Sequence, residues 1–143
     1  MNRKKKVESR WSVNSILRST LYALLSTLYF LLTACALVED VPPVAHAGDD
    51  QKAVKLGTPI LLDASKSREI DGGTIVEYRW TISGAPKGKE NELNKIIVTS
   101  KEPKAQVQLP NDEGALGVWT LELRVTDNSG NRAANDVRIT LVK

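Results

Sequence analysis

Beyond residue 43, apolar and polar residues alternate along the sequence with a period of two. The clearest run places four apolar residues between polar ones: Val76, Tyr78, Trp80 and Ile82. Two similar runs occupy residues 119–126 and 136–141. Because successive side chains of a strand point to opposite faces, each run predicts a half-buried strand with its apolar positions turned inward.

Shorter β-branched or apolar runs complete the pattern at residues 58–62, 95–99 and 107–109. Turn signals with Gly or Asn separate the runs at residues 56–58, 71–73 and 127–131, and the last of these predicts a hairpin. About seven short strands in roughly 100 residues predict an all-β, immunoglobulin-like antiparallel β-sandwich.

Three aromatic residues lie in this β-rich region, namely Tyr78, Trp80 and Trp119, and all three occupy inward positions. We therefore expect them to pack the core. Carbohydrate sites usually present an exposed aromatic face, and no aromatic residue is left for one, so carbohydrate binding is the less favoured function.

The first 34 residues have a different pattern. A basic segment, residues 1–18, precedes an apolar run, Leu21 to Leu32, and the small residues Thr33 and Ala34 follow. This order is typical of a secretory signal, so we expect a helical signal peptide over residues 1–34.

The formal net charge of +3 comes from this first segment. Residues 1–35 contain six basic residues and one acidic residue, whereas the remainder contains 14 basic and 16 acidic residues. The part after the signal has no excess of positive charge, which argues against a nucleic-acid partner.

The sequence Leu32-Thr33-Ala34-Cys35 resembles the lipobox of bacterial lipoproteins. The resemblance implies cleavage before Cys35, a diacylglyceryl group on its sulfur and acylation of the new amino terminus. Cys35 is the only cysteine, so no intrachain disulfide forms, and acylation would consume a thiol that is otherwise a liability in an oxidising compartment. Two or three acyl chains hold a protein stably on a membrane.

We therefore expect a membrane-anchored lipoprotein of the cell envelope, with residues 35–41 as its lipidated tether. Ala36 after the cysteine indicates the outer membrane if the source is Gram-negative. The alternative is an uncleaved signal anchor, because Leu21 to Val38 is an uncharged stretch of 18 residues. That length just reaches the lower limit for a spanning helix.

A second resemblance covers residues 42–143. Residues 42–51, PPVAHAGDDQ, resemble the opening of PKD domains, whose common form is PPVANAGPDQ. Residues 62–65, 75–80 and 123–130 are similar to three further motifs of that family. Trp119 replaces the usual Tyr of a family strand. The resemblance implies an immunoglobulin-like fold, extracellular placement and a binding or spacing role without catalysis.

Some PKD domains hold calcium near one end of the sandwich, so the resemblance implies a candidate calcium site here; the alternative is that Asp71 only shapes a turn and Glu69 is solvated. The ligands of the calcium site would be Glu69 and Asp71, with Asp40 approaching from the N-terminal side, and oxygen ligands of this kind suit calcium. We expect no other cofactor. The only histidine, His46, lies in a Pro-rich segment away from any nucleophile motif, so we expect no enzyme activity.

These observations predict a non-catalytic, lipid-anchored envelope module for protein–protein interaction or structural spacing. The polar loop of residues 84–94 is its candidate contact surface, and an envelope or surface protein is the expected partner. A polysaccharide-binding envelope lipoprotein is the alternative function.

Overall fold

The computed structural model describes residues 41–143, together with residue 18, residues 20–23 and residue 26. The predictions for the cleavage site, for Cys35 and for Asp40 lie outside the described residues. Within the described part of the chain, no helix has the length and apolar character needed to cross a membrane. The chain divides into two compact units, Met1–Glu39 and Asp40–Lys143, and the strands described below belong to the second.

Seven strands form two sheets. In chain order they are β1 (Gln51–Lys55), β2 (Ile60–Asp63), β3 (Ile75–Gly84), β4 (Ile96–Ser100), β5 (Lys104–Val107), β6 (Gly117–Asp127) and β7 (Arg132–Val142). One sheet has the order β1-β7-β6-β3-β4, and the other pairs β2 with β5. Two short 3₁₀ helices, Glu90–Glu92 and Glu113–Ala115, lie in loops. The predicted all-β immunoglobulin-like sandwich is confirmed.

The core consists of the inward side chains that the period-two pattern selects. Trp119 has no exposed surface, and its ring Nε1 donates a hydrogen bond to the carbonyl oxygen of Ala115 at 2.9 Å. Trp80 and Tyr78 on β3 are buried as well. The structure thus places all three predicted aromatic residues in the core, where a buried Trp N–H needs a partner of this kind.

The prediction for Val76 is wrong, because its side chain is 41% exposed. The pairing of β3 with β6 shifts register between Ile75 and Glu77. Such a bulge inserts one extra residue and interrupts the alternation of faces. Ile75 therefore packs against the core in place of Val76.

Strand β1 was not predicted, because its sequence QKAVK is polar and its burial pattern does not alternate. It pairs with β7 in parallel, whereas the other strand pairs are antiparallel. Its register shifts between Gln51 and Val54, and Ala53 between them has a positive φ of 57°. The strand is held by β7 rather than by an apolar face of its own.

The two ends of the sandwich carry different loops. The hairpin end comprises residues 41, 68–75 and 127–132, where β3 starts and β6 turns into β7. The loop end comprises residues 85–95 and 111–117, beyond the other ends of β3 and β6. Val44 and Arg68 exchange backbone hydrogen bonds of 2.8 and 3.0 Å, which fasten the start of the described segment close to the hairpin end.

Candidate functional site

The hairpin end holds a cluster of oxygen-bearing side chains, the hairpin-end cluster: Glu69, Asp71, Asp127 and Asn128. Asp71 precedes a turn in which Gly72 has a φ of 89°. One carboxylate oxygen, Oδ1, accepts a hydrogen bond from the Gly73 amide at 3.2 Å, and Oδ2 accepts one from the Val41 amide at 3.3 Å. These two backbone donors lower the pKa of Asp71. Asp71 therefore joins the start of the domain to the turn.

Asp127 and Asn128 enter the cluster from the β6–β7 hairpin. Asp127 is only 3% exposed, and its Oδ1 accepts hydrogen bonds from the amides of Ser129 and Asn131, both at 2.8 Å. The side-chain oxygen of Asn128 accepts a hydrogen bond from the Thr74 amide at 2.9 Å. Asp127 thus shapes the hairpin, and Asn128 connects it to the segment that leads into β3.

Three oxygens of the cluster surround the α-carbon of Gly73. A β-carbon there would lie 2.6 Å from Asn128 Oδ1, 3.4 Å from Asp71 Oδ1 and 3.5 Å from Glu69 Oε2. The first distance is too short for a carbon, so the site accepts glycine and rejects alanine without a shift of Asn128. The absence of a β-carbon leaves a small cradle bounded by carboxylate and amide oxygens.

Several oxygens in the cluster lack hydrogen-bond donors. Both carboxylate oxygens of Glu69 and the Oδ2 of Asp127 are buried without a partner among the described residues. Desolvation raises the pKa of Glu69, and the negative charges of Asp127 and Asp71 raise it further. A proton or a cation would relieve this crowding of negative charge.

The predicted calcium ligands are therefore partly brought together. Glu69 and Asp71 lie in one cluster, while Asp40 lies outside the described residues. Among the described residues, no three or more His, Cys, Asp or Glu side chains are arranged as a metal site. Asn128 and Asp127 are additional oxygen ligands that the sequence did not single out, although residues 127–131, DNSGN, were recognised as a turn. All the donors are oxygens, which fits calcium in kind, and calcium binding stays a prediction.

His46 has a local structural role. Its backbone amide donates to the hydroxyl of Ser67 at 2.9 Å, and its ring Nδ1 accepts a hydrogen bond from the Gly48 amide at 3.1 Å. Both contacts fix the path of the segment before β1.

The predicted contact loop, at the loop end, is held in place by an ion pair, a hydrogen bond and a packed leucine. Lys89 Nζ lies 2.6 Å from Asp112 Oδ2, which joins the loop to the segment before β6. Glu90 accepts a hydrogen bond from the Gly88 amide at 2.9 Å, and Leu93 packs against the core. Lys87 and Asn91 remain exposed, so the loop presents polar groups from an ordered backbone.

This architecture defines an immunoglobulin-like β-sandwich of the PKD class, a kind of module that binds or spaces other domains. Residues 47–141 match the family described as K319L-like, PKD domain, and the chain belongs to that family. The mouse dyslexia-associated protein KIAA0319-like protein is 31% identical over 100 residues, which are 70% of this chain and 9% of the relative. The chain thus spans under a tenth of the length of that relative.

Solved structures show the same fold. Fibronectin(III)-like modules of Clostridium thermocellum CbhA superpose with a TM-score of 0.52 at 12% identity, over 71% of this chain and 47% of theirs. A structure reported for carbohydrate-binding modules of the β-sandwich superfamily has a TM-score of 0.50 at 24% identity, over 73% of this chain and 36% of its own. At these identities the similarity concerns the fold alone.

Proposed function

We propose that this chain is a lipid-anchored interaction module of the bacterial cell envelope, acylated at Cys35. The observation that carries the proposal is the order of segments: a signal-like segment, a lipobox-like cysteine and, after a short tether, a domain whose residues 47–141 match the PKD family. Acylation needs a cysteine at the new amino terminus, and the domain supplies the folded part that the lipid would hold.

The tether sets a limit on distance. The six residues from Cys35 to Val41 reach about 20 Å when fully extended. The Val41 amide is hydrogen-bonded to the Asp71 carboxylate, so the tether joins the domain at the hairpin end. β3 has ten residues and spans roughly 33 Å, so the loop end lies at the opposite end of the sandwich from the point where the tether joins it.

We assign the partner surface to the loop end for this reason. Its exposed groups, including Lys87 and Asn91, stand on a loop that is braced by the Lys89–Asp112 ion pair. An ordered polar loop loses little conformational entropy when it meets another protein. The partner is an envelope or surface protein.

The anchor is tested by feeding cells an alkyne-bearing fatty acid and detecting the label on the purified chain. Wild type and a Ser26→Ala control are expected to carry the label in the membrane fraction, and Cys35→Ser is expected to lose it. A labelled Cys35→Ser variant would contradict acylation at this sulfur. A wild-type protein that carries no label and still contains residues 1–34 would favour the uncleaved signal anchor.

The partner surface is tested in cells by placing a photo-cross-linking amino acid at Lys87 or Asn91. A matched control carries it at Gln106, which is exposed on β5 and is not part of the loop end. Cross-links to one envelope protein from the first two positions alone are the expected result. Equal cross-linking from Gln106 would contradict a partner at the loop end.

We also propose that the hairpin-end cluster binds calcium. Glu69, Asp71 and Asn128 supply oxygens around the Gly73 cradle, and Asp127 adds negative charge from the hairpin. Bound calcium would neutralise the carboxylate of Glu69 and the Oδ2 of Asp127, which have no hydrogen-bond partner among the described residues. Because Asp71 also holds Val41, the ion would stiffen the junction between tether and domain.

A further inference from the structure

The outer face of the five-stranded sheet has a recess, the sheet-face recess, with a volume of about 300 Å³. It lies across β6 and β3 and extends to Asn94 and to Ile96, the first residue of β4. Its principal lining residues are Arg79, Thr81, Asn94, Ile96, Glu122 and Arg124. It shares Asn94, the last residue of the contact loop, and none of its lining residues belongs to the hairpin-end cluster.

Two arginines lie side by side in this recess. Arg79 on β3 and Arg124 on β6 are directly paired, a placement that is unfavourable for like charges. Each is held by an acid on its own strand, with Arg79 Nη2 at 3.0 Å from Glu77 and Arg124 Nη2 at 2.9 Å from Glu122. The two guanidinium groups are thus kept side by side and oriented.

The arginines retain unused hydrogen-bond donors. A guanidinium has five N–H groups, and the Nε of Arg79 is buried without a partner among the described residues. Glu77 and Glu122 balance the two arginine charges, so the preference for an anionic group comes from the guanidinium N–H donors that these two ion pairs leave over. The recess therefore favours a ligand that brings one carboxylate, which planar guanidinium groups bind well.

The other lining groups suit hydroxyls. Thr81 and Asn94 both donate and accept hydrogen bonds, and Glu122 accepts them. Ile96 lies opposite Thr81 and is 57% exposed, so it gives the recess one apolar wall. Glu122 would repel a second carboxylate placed beside it, which disfavours a polyacidic peptide. Carboxylate, hydroxyls and an apolar C–H face occur together in an acidic sugar.

We propose that the sheet-face recess binds an acidic saccharide, with its carboxylate between Arg79 and Arg124 and its hydroxyls on Glu122 and Asn94. Ile96 contacts the apolar face of the sugar ring in place of an aromatic platform. This inference goes beyond the proposed function, since neither the lipid anchor nor the loop-end partner needs a ligand on this face.

The test titrates a galacturonic acid disaccharide into the full chain in detergent, followed by NMR shifts and calorimetry. A neutral galactose disaccharide and a glutamate-rich peptide are the comparison ligands. The variants are Arg79→Gln and Arg124→Gln. The matched control is Arg138→Gln, which removes an exposed arginine from β7 of the same sheet outside the recess.

The expected result is saturable binding of the acidic disaccharide that weakens about tenfold or more in Arg79→Gln and Arg124→Gln and stays within about twofold in Arg138→Gln. Unfolding midpoints of the variants are measured in parallel so that a folding defect is recognised. Equal weakening in the control, or equal binding of the neutral sugar, would overturn the proposal. Tighter binding of the peptide would also overturn it by making the recess a peptide site.

Discussion

Replacement of Asp127 separates two roles that this buried carboxylate has in the hairpin end. Its Oδ1 accepts the amides of Ser129 and Asn131, both at 2.8 Å, and its charge contributes to the raised pKa of Glu69. Asp127→Ala removes both roles. Asp127→Asn keeps an oxygen acceptor for the two amides and removes only the charge.

The hydrogen bonds set the magnitude. Each bond to a charged acceptor contributes about 1.5–3 kcal/mol, and the alanine variant leaves two hairpin amides without their partner. We expect Asp127→Ala to lower the free energy of unfolding by about 3–5 kcal/mol, a large share of the roughly 5–15 kcal/mol that a domain has. We expect Asp127→Asn to lower the free energy of unfolding by less than about 1 kcal/mol without calcium. The asparagine keeps an acceptor oxygen for the two amides, and the loss of the negative charge relieves repulsion with Glu69.

The assay is urea unfolding at neutral pH in a chelating buffer, followed by the fluorescence of the buried tryptophans Trp80 and Trp119. The matched control is Asp136→Ala, an exposed acid on β7 that is expected to change stability by less than about 0.5 kcal/mol. If Asp127→Asn proves as unstable as Asp127→Ala, the charge rather than the acceptor oxygen supports the hairpin, and the reasoning fails.

Three further predictions concern the core, acid stability and calcium. Trp119→Phe removes the donor to the Ala115 carbonyl and is expected to cost about 1–3 kcal/mol in urea unfolding; a cost below about 0.5 kcal/mol would contradict that role for the bond. Hydrogen bonds from Ser65, and then a weaker interaction with Lys104, lower the pKa of Asp63 to about 2. The ionised Asp63 therefore stabilises the fold above its ordinary pKa of 3.8, and this contribution is lost as pH falls towards 2. We expect Asp63→Asn to make the urea unfolding midpoint depend less on pH over this range. An unchanged pH dependence in Asp63→Asn would refute this role. Calcium at about 1 mM is expected to raise the melting temperature of wild type, with little effect of magnesium and no effect of calcium on Asn128→Ala. The calcium effect should fade as pH falls below the raised pKa of Glu69, and an equal rise in Asn128→Ala would exclude that ligand.

Much of the sandwich was predictable because its central strands are half-buried. The runs in β6 and β7 alternate cleanly, and every apolar position predicted inward there is buried. The polar strand β1 was missed because backbone pairing with β7, rather than an apolar face, fixes it. Val76 was assigned to the wrong face because a bulge shifts the pairing of β3, and period-two reasoning has no means of placing a bulge.

The candidate sites were less predictable, because they depend on tertiary proximity. Glu69 and Asp71 were singled out from one loop, but Asp127 and Asn128 reach the same place only through the pairing of β3 with β6. The sheet-face recess follows from the direct pairing of Arg79 with Arg124, which is a matter of register between strands 45 residues apart. A single sequence reveals the polar positions of each strand, yet it leaves the register open.

Intact-mass analysis of the native protein, extracted from membranes without tags, tests the lipid-anchored assignment most directly. The predicted mass is that of residues 35–143 with a diacylglyceryl group on the Cys35 sulfur and an acyl chain on its amino group. A mass that retains residues 1–34 and an unmodified cysteine would contradict the lipoprotein assignment and would leave the PKD-type sandwich as a domain held in some other way.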